Sequence, residues 1–503
     1  MKKIVLISLS LLIALSAFGL PIEKEGLKLH SEFLKQDVSY SVILPEDYDV
    51  SGASYPVLYM LHGIGGDESS WMEYGNVARV MQRMSDEGLI RQFIIVMPCG
   101  YQSYYCDTYD GSFRYESFFI KELIPYIDSH YRTFKSPVRR SVLGFSMGGF
   151  GALSVALRNR DIFGSVIGLS PSIRTDSQYE GEGPQAEWES QWGRIFGGIG
   201  KQGAERLTDY YLSHSPYHIF RQTPSENFKH FGIMLDIGDK EGTLCPANEE
   251  LHLMLLKNNI RHVWEVRNGG HDFDCWNAAL PKALHFADSC FAMPARPSIP
   301  QSSIESASTE EDDEATLYLP SRNTMSQRKY SVIYVEGNNW NIRRFVALYH
   351  GMSDSLMVGP SIICVIRSHD DINQVVSRIE NRHKCLRGSQ RMRALICVGD
   401  AFGQCLHSLQ SSNLFSAIIC DNPEMAVDSA SVFGTYISRY NRYPRCFFEV
   451  APCSPYYAFA SKVHQLLREK GMEHEFRSRD AVGGSYLEIW EEWIKYIDKR
   501  IHI

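Results

Sequence analysis

The chain has 503 residues, 44% of them hydrophobic and 22% charged, with 51 Lys and Arg against 59 Asp and Glu. That length allows two large domains or three ordinary ones, each able to bury a core, and the composition is that of a globular protein. A formal charge of −8 argues against nucleic acid or an anionic membrane surface as partner. No internal segment has the 18 or more consecutive apolar residues that a membrane span requires.

At the N-terminus Lys2 and Lys3 precede an apolar run from Ile4 to Leu15, and Ser16-Ala17-Phe18-Gly19 follows. A positive start, a short apolar stretch and a small-residue cleavage site predict a bacterial signal peptide over 1–19. The mature protein is then periplasmic or secreted, with no membrane association after removal of the leader. The 12 cysteines are scattered and form no Cys-x-x-Cys pair.

Val38 to Leu44 reads as a strand, and Tyr55 to Leu61 as a central one, apolar throughout and so covered on both faces. It ends at His62-Gly-Ile-Gly-Gly66. Phe93 to Met97 is a further buried strand, and Tyr115 to Tyr131 carries apolar residues at helical spacing. Ser141 to Leu143 leads into Gly144-Phe-Ser-Met-Gly148 and a small-residue helical segment; Ser165 to Leu169 is the next strand. Strands alternating with helices predict a mostly parallel, doubly wound α/β sheet.

From Arg174 to Gln222 the pattern turns irregular and aromatic, with Trp188, Trp192, Tyr210 and Tyr211. Such an insertion reads either as a lid or substrate wall or as packing helices. Regular elements resume with a strand over Phe231 to Ile237, a helix around Glu249 to Lys257 and a strand over His262 to Val266. Asn268-Gly-Gly-His-Asp272 and a final amphipathic helix follow. This first domain spans 20–292. Residues 293–314, proline- and serine-rich and then acidic, read as a linker.

The region 315–503 echoes the first. Val332 to Gly337 matches the strand before His62, with Glu336 in the place of that histidine. Arg393 to Gly403 matches the Gly-x-Ser-x-Gly stretch, with Ala401 in the place of Ser146. Leu414 to Ile419 matches Ile162 to Ile167, and Gly483-Gly-Ser485 matches Gly269-Gly-His271. The second domain therefore reads as a smaller, degenerate copy of the first that lacks a nucleophile and a base.

The chemistry is expected in the first copy. Gly-x-Ser-x-Gly between a strand and a helix holds its serine exposed on a sharp turn. A serine hydroxyl needs an oriented base, and in this topology the order is nucleophile, acid, histidine. Ser146 is followed by Asp236-Ile-Gly-Asp-Lys-Glu241 after one late strand and by His271 after the last. Two backbone N–H groups are needed for an oxyanion, and Met147 and Ile64 are placed to supply them.

Tyr59 to Trp71, Gly144 to Gly149 and Gly269 to Phe273 together resemble the esterase D family, and within it the feruloyl and acetyl-xylan esterases of carbohydrate esterase family 1. Pro98-Cys-Gly and Ser103-Tyr-Tyr-Cys-Asp107 resemble that family's loop after its third strand. The resemblance covers nearly all of the first half and implies an α/β-hydrolase fold. It implies a serine esterase whose acid stands three residues after the glycine of the late-strand loop, which is Glu241 here where most relatives have Asp; Asp239 is the other candidate. It also implies acetyl or feruloyl groups on plant polysaccharide as substrate. Acylated polysaccharide or a small ester is the expected partner, with His62, Tyr104, Trp188 and Trp192 as the expected substrate contacts. No metal or organic cofactor is expected. An acyltransferase, a thioesterase, and a binding or scaffolding role for the second domain are the alternatives.

Overall fold

The structure is a computed structural model and describes residues 21–291, 309–311, 314–320, 330–337, 342–354, 357–367, 371–383, 389–399, 401–403, 414–425, 430, 444–479 and 486–501. The predicted leader, most of the predicted linker and Ser485 lie outside the described residues. The chain divides into two compact units, one of 1–263 with 269–295, the other of 264–268 with 296–503.

In the first unit seven strands are ordered β1-β2-β4-β3-β5-β6-β7. They are Ile22–Ser31 (β1), Gln36–Leu44 (β2), Val57–Leu61 (β3), Ile94–Pro98 (β4), Arg140–Phe145 (β5), Ser165–Leu169 (β6) and Gly232–Gly238 (β7). β1 and β2 form an antiparallel hairpin, and β2 pairs antiparallel with β4. From β4 onward the pairs β3·β4, β3·β5, β5·β6 and β6·β7 are all parallel. Every residue of β3, β5 and β6 is buried, as strands covered on both faces require. β1 alternates and is largely exposed, which suits an edge strand. The mixed, mostly parallel sheet flanked by helices is that of an α/β hydrolase.

The helices that place the site are Val77–Asp86 (α1), Ile124–His130 (α2), Met147–Arg158 (α3), Leu244–Lys257 (α4) and Phe273–Cys290 (α5). One core joins Leu58, Met60 and Leu143 of the sheet to Met81 of α1 and to Trp276, Leu280 and Leu284 of α5. On the opposite face Tyr59 meets Phe119 and Phe163 edge-on, with ring centres 5.3 and 6.3 Å apart. The helix expected over Tyr115 to Tyr131 forms, with a π-helical turn at Phe119–Leu123. The strand Val263–Arg267 (β8), all but its first residue grouped with the second unit, brings the chain back at Gly269.

The Arg174 to Gln222 stretch folds into short helices, among them Asp176–Gly181, Gln185–Trp188, Asp209–His214 and Pro216–Gln222. They enclose an aromatic cluster in which Tyr179 stacks on Tyr211 at 3.6 Å and meets Trp188 and Trp192 edge-on. Thr175 caps the first of these helices through a reciprocal capping box with Gln178.

The second unit carries β9 (Thr309–Glu311), β10 (Ala315–Tyr318), β11 (Ser331–Glu336), β12 (Ser361–Ile366), β13 (Arg393–Val398), β14 (Ala417–Asp421), β15 (Arg445–Val450) and β16 (His474–Ser478). β11·β12, β11·β13, β13·β14, β14·β15 and β15·β16 are parallel, while β9 and β12 each pair antiparallel with β10. Thr309–Glu311, inside the stretch read as linker, is therefore strand. Among the described residues the unit's longer helices are Ile342–Asp354 (α6), Ile372–Arg382 (α7), Tyr457–Glu469 (α8) and Tyr486–Ile501 (α9).

Candidate active site

The turn between β5 and α3 sets the geometry. Ser146 has φ +55° and ψ −121°, a conformation a side-chain-bearing residue adopts only when its surroundings enforce it. A Cβ on Gly144 would lie 2.1 Å from the carbonyl oxygen of Gly148, and one on Gly148 would lie 2.5 Å from that of Leu61. Both glycines are thus required by the close passage of α3 over β3 and β5. Met147 is the first residue of α3, so its N–H has no acceptor within the helix and faces the same end as Ser146.

Ser146 Oγ lies 2.8 Å from Nε2 of His271, and Nδ1 of His271 lies 2.6 Å from Oε2 of Glu241. The carboxylate only accepts, so Nδ1 carries the proton and Nε2 turns its lone pair to the serine hydroxyl. Glu241 is buried and doubly held at Oε1, by the Gly238 N–H at 3.1 Å and by the Ser170 hydroxyl. Ser170, itself at φ +44°, takes a bond from the Trp276 indole N–H at 3.0 Å. Trp276 also stands edge-on to the His271 ring, 5.1 Å between centres.

Of the two candidate acids, the structure brings Glu241 to His271. Asp239 is also buried, and its Oδ1 accepts from the Gly269 N–H at 3.1 Å, which anchors the loop before the histidine. The Gly63–Gly66 segment is a tight turn, with Gly66 N–H donating to Gly63 O at 3.2 Å and Gly65 at φ +81°. That positive φ at the third turn position is the type II pattern, and it leaves Ile64, half exposed, at the second.

The four residues expected to touch substrate are turned inward, a correction to the reading of the sequence. His62, Tyr104, Trp188 and Trp192 are each at most 1% exposed. His62 Nδ1 bonds Gly63 O and its Nε2 accepts from Gly100 N–H, both at 2.7 Å, so it ties the turn to the loop after β4; burial lowers its pKa. Tyr104 takes a bond from Gln191 at 2.6 Å and packs on Trp192 at 4.5 Å. Large aromatic side chains in a segment without a sheet of its own supply that segment's core, and these do. Reading the sequence missed Ser170, whose position directly after β6 was its only signal, and gave no role to Trp276.

Within the second unit the same backbone bonds recur, and they shift the match read from sequence. Ser146 N–H donates to Leu169 O at 3.0 Å and Gly399 N–H to Asp421 O at 2.9 Å; Ser172 N–H donates to Ser146 O at 3.0 Å and Glu424 N–H to Gly399 O at 3.2 Å. Gly399 has φ +64°, and Asn422, at φ +46°, matches Ser170. The residue at the nucleophile position is therefore Gly399, two places before Ala401. By strand pairing Glu336 likewise corresponds to Leu61 and Gly337 to His62. Ser454, whose N–H donates to Ala451 O at 2.9 Å as that of Glu241 donates to Gly238 O at 3.2 Å, occupies the acid position. Glu449, Arg479, Glu492 and Arg477 form an ion-pair chain at these strand ends.

The Esterase family model matches residues 31–287. An esterase of Mycobacterium tuberculosis is 37% identical over 142 residues, 27% of this chain and 30% of the relative. An endo-1,4-beta-xylanase/feruloyl esterase of Xylanibacter ruminicola is 37% identical over 131 residues, 25% of this chain and 18% of the relative. The chain thus spans less than a third of the length of either. A solved ferulic acid esterase is 26% identical, with 54% of this chain and 98% of that one covered, at a TM-score of 0.46.

Proposed function

Since the chain belongs to the Esterase family, we propose that it is an exported serine carboxylesterase that removes feruloyl or acetyl groups from plant polysaccharide. The observation that carries this reading is the unbroken bond chain from Ser146 Oγ through His271 to buried Glu241. His271 takes the proton of Ser146 as its Oγ attacks the ester carbonyl, then gives it to the leaving alcohol oxygen. Glu241 keeps Nδ1 protonated and stabilises the imidazolium while it exists. The N–H groups of Met147 and Ile64 hold the oxyanion, favoured by the α3 N-terminus. Water, deprotonated by His271, then attacks the acyl-enzyme; the bond from Ser146 Oγ to the acyl carbon breaks, His271 returns the proton to Oγ, and the acid is freed.

Export rests on the Lys2-Lys3 start and apolar run to Leu15. The substrate class is supported by the feruloyl esterase among the relatives. The second unit, with Gly399 and Ser454 at the nucleophile and acid positions, takes no part in the chemistry and has a binding or scaffolding role. A panel of acetylated xylan, methyl ferulate and simple acyl esters tests the assignment. Release of acid from the first two that disappears in Ser146→Ala is the expected result; hydrolysis of neither would remove the polysaccharide substrate.

A further inference from the structure

The side of the site on which the alcohol departs is set by His271, since its Nε2 must reach the leaving oxygen. Two residues further on, α5 begins with Phe273, partly exposed. Its ring lies 5.2 Å from that of Tyr74 at a tilt of 39°, and Tyr74 is 58% exposed. An aromatic ring this open is ordinarily mobile, yet the Phe273 ring beside it is packed and the Tyr74 backbone is anchored. Phe273 is wedged edge-on against Phe145, Trp71 and Trp276 at 5.0, 6.1 and 5.0 Å. The Tyr74 N–H donates to Ser70 O at 3.1 Å and its carbonyl accepts from Asn277 Nδ2 at 2.9 Å. Gly75 follows because a Cβ there would lie 2.5 Å from Trp71 O.

We propose that Tyr74 and Phe273 form a platform for the pyranose ring of the departing alcohol. The inference rests on the catalytic roles of Ser146 and His271 given above and adds the subsite that reads the alcohol. The shape selects the occupant. The open Tyr74 ring, tilted against partly exposed Phe273, presents a face rather than a slot, so the pair covers one side of a flat ring and does not enclose an alkyl chain. A pyranose has a matching form, an apolar C–H face edged by hydroxyls, and stacks on aromatic rings through it.

The test separates binding from turnover. In the Ser146→Ala background, which cannot consume substrate, an unacetylated xylo-oligosaccharide is titrated by calorimetry into the parent and into Tyr74→Ala and Tyr74→Phe variants. Loss of one ring should weaken binding about fivefold, and Tyr74→Phe should restore it to within about twofold. Equal affinity of Tyr74→Ala and the parent, failure of Tyr74→Phe to recover binding, or no binding by the parent overturns the platform. In active enzyme, Tyr74→Ala should raise KM more for acetylated xylo-oligosaccharide than for methyl acetate; an equal rise on both counts against it. The catalytic reading fails separately, if the wild-type protein hydrolyses no ester at all.

Discussion

Glu241 shows how much of the site depends on atoms that do not touch substrate. Its Oε2 faces His271 while Oε1 is held by the Gly238 N–H and the Ser170 hydroxyl, so the carboxylate cannot rotate away from the imidazole. Glu241→Gln should keep the fold and lower kcat by about a hundredfold or more, since an amide can present its N–H to Nδ1 and favour the wrong tautomer. Ser170→Ala removes one bond to a charged group and should lower kcat by about tenfold with little change in KM, read from full kinetics on a simple ester. A merely structural Ser170 would instead lower the melting temperature and leave kcat alone. Chain order and glycine-rich loops pointed to Ser146 and His271 in the sequence and narrowed the acid to Glu241 or Asp239, which only the hydrogen bonds separate. Ser170 was not legible there, because its role depends on a positive φ and a tertiary contact that no local pattern announces.

Strand and helix order was largely readable, since fully apolar runs of five or six residues admit little besides buried parallel strands. Register was not. Matching the second elbow on its glycines placed Ala401 at the nucleophile, whereas pairing of β13 with β14 places Gly399 there. A sequence match aligns residue types, but the sheet aligns backbone bonds, and only these fix which residue sits on the turn. Accordingly neither Ala401→Ser nor Gly399→Ser should restore ester hydrolysis in a Ser146→Ala protein, because Ser454 stands where the acid would have to be. The Arg174 to Gln222 insertion left a substrate wall and packing helices equally open in the sequence. Trp192 is buried among Tyr104, Phe150, Tyr179 and Phe196, as packing requires. Trp192→Ala should cost about 3–5 kcal/mol of stability, seen as a lower melting temperature.

Across the chain the two units share fine detail: His252 pairs with His262 at 2.7 Å, whose other nitrogen bonds Ile260 O, and His464 pairs with His474 at 2.9 Å, whose other nitrogen bonds Met472 O. Repetition at this level was visible in sequence only as a few matched segments, because the partners of each histidine lie about ten residues away in a different element. Buried histidines also set the response to acid. Burial and the neighbouring Arg158 push the pKa of His214 from 6.5 down to about 3. The unfolded chain therefore binds the proton first, so stability is fully present above about pH 6.5 and falls as pH drops from there toward 3. His214→Gln should flatten that acid limb in melting temperatures taken across pH 7 to 4. The claim on which the rest depends is that one serine, in one of two similar units, carries the chemistry. Labelling the whole protein with a fluorophosphonate and mapping the adduct by peptide mass spectrometry tests it directly. A single adduct on Ser146 and loss of hydrolysis in step with labelling are expected; an adduct on another residue, or undiminished labelling of Ser146→Ala, would overturn the assignment.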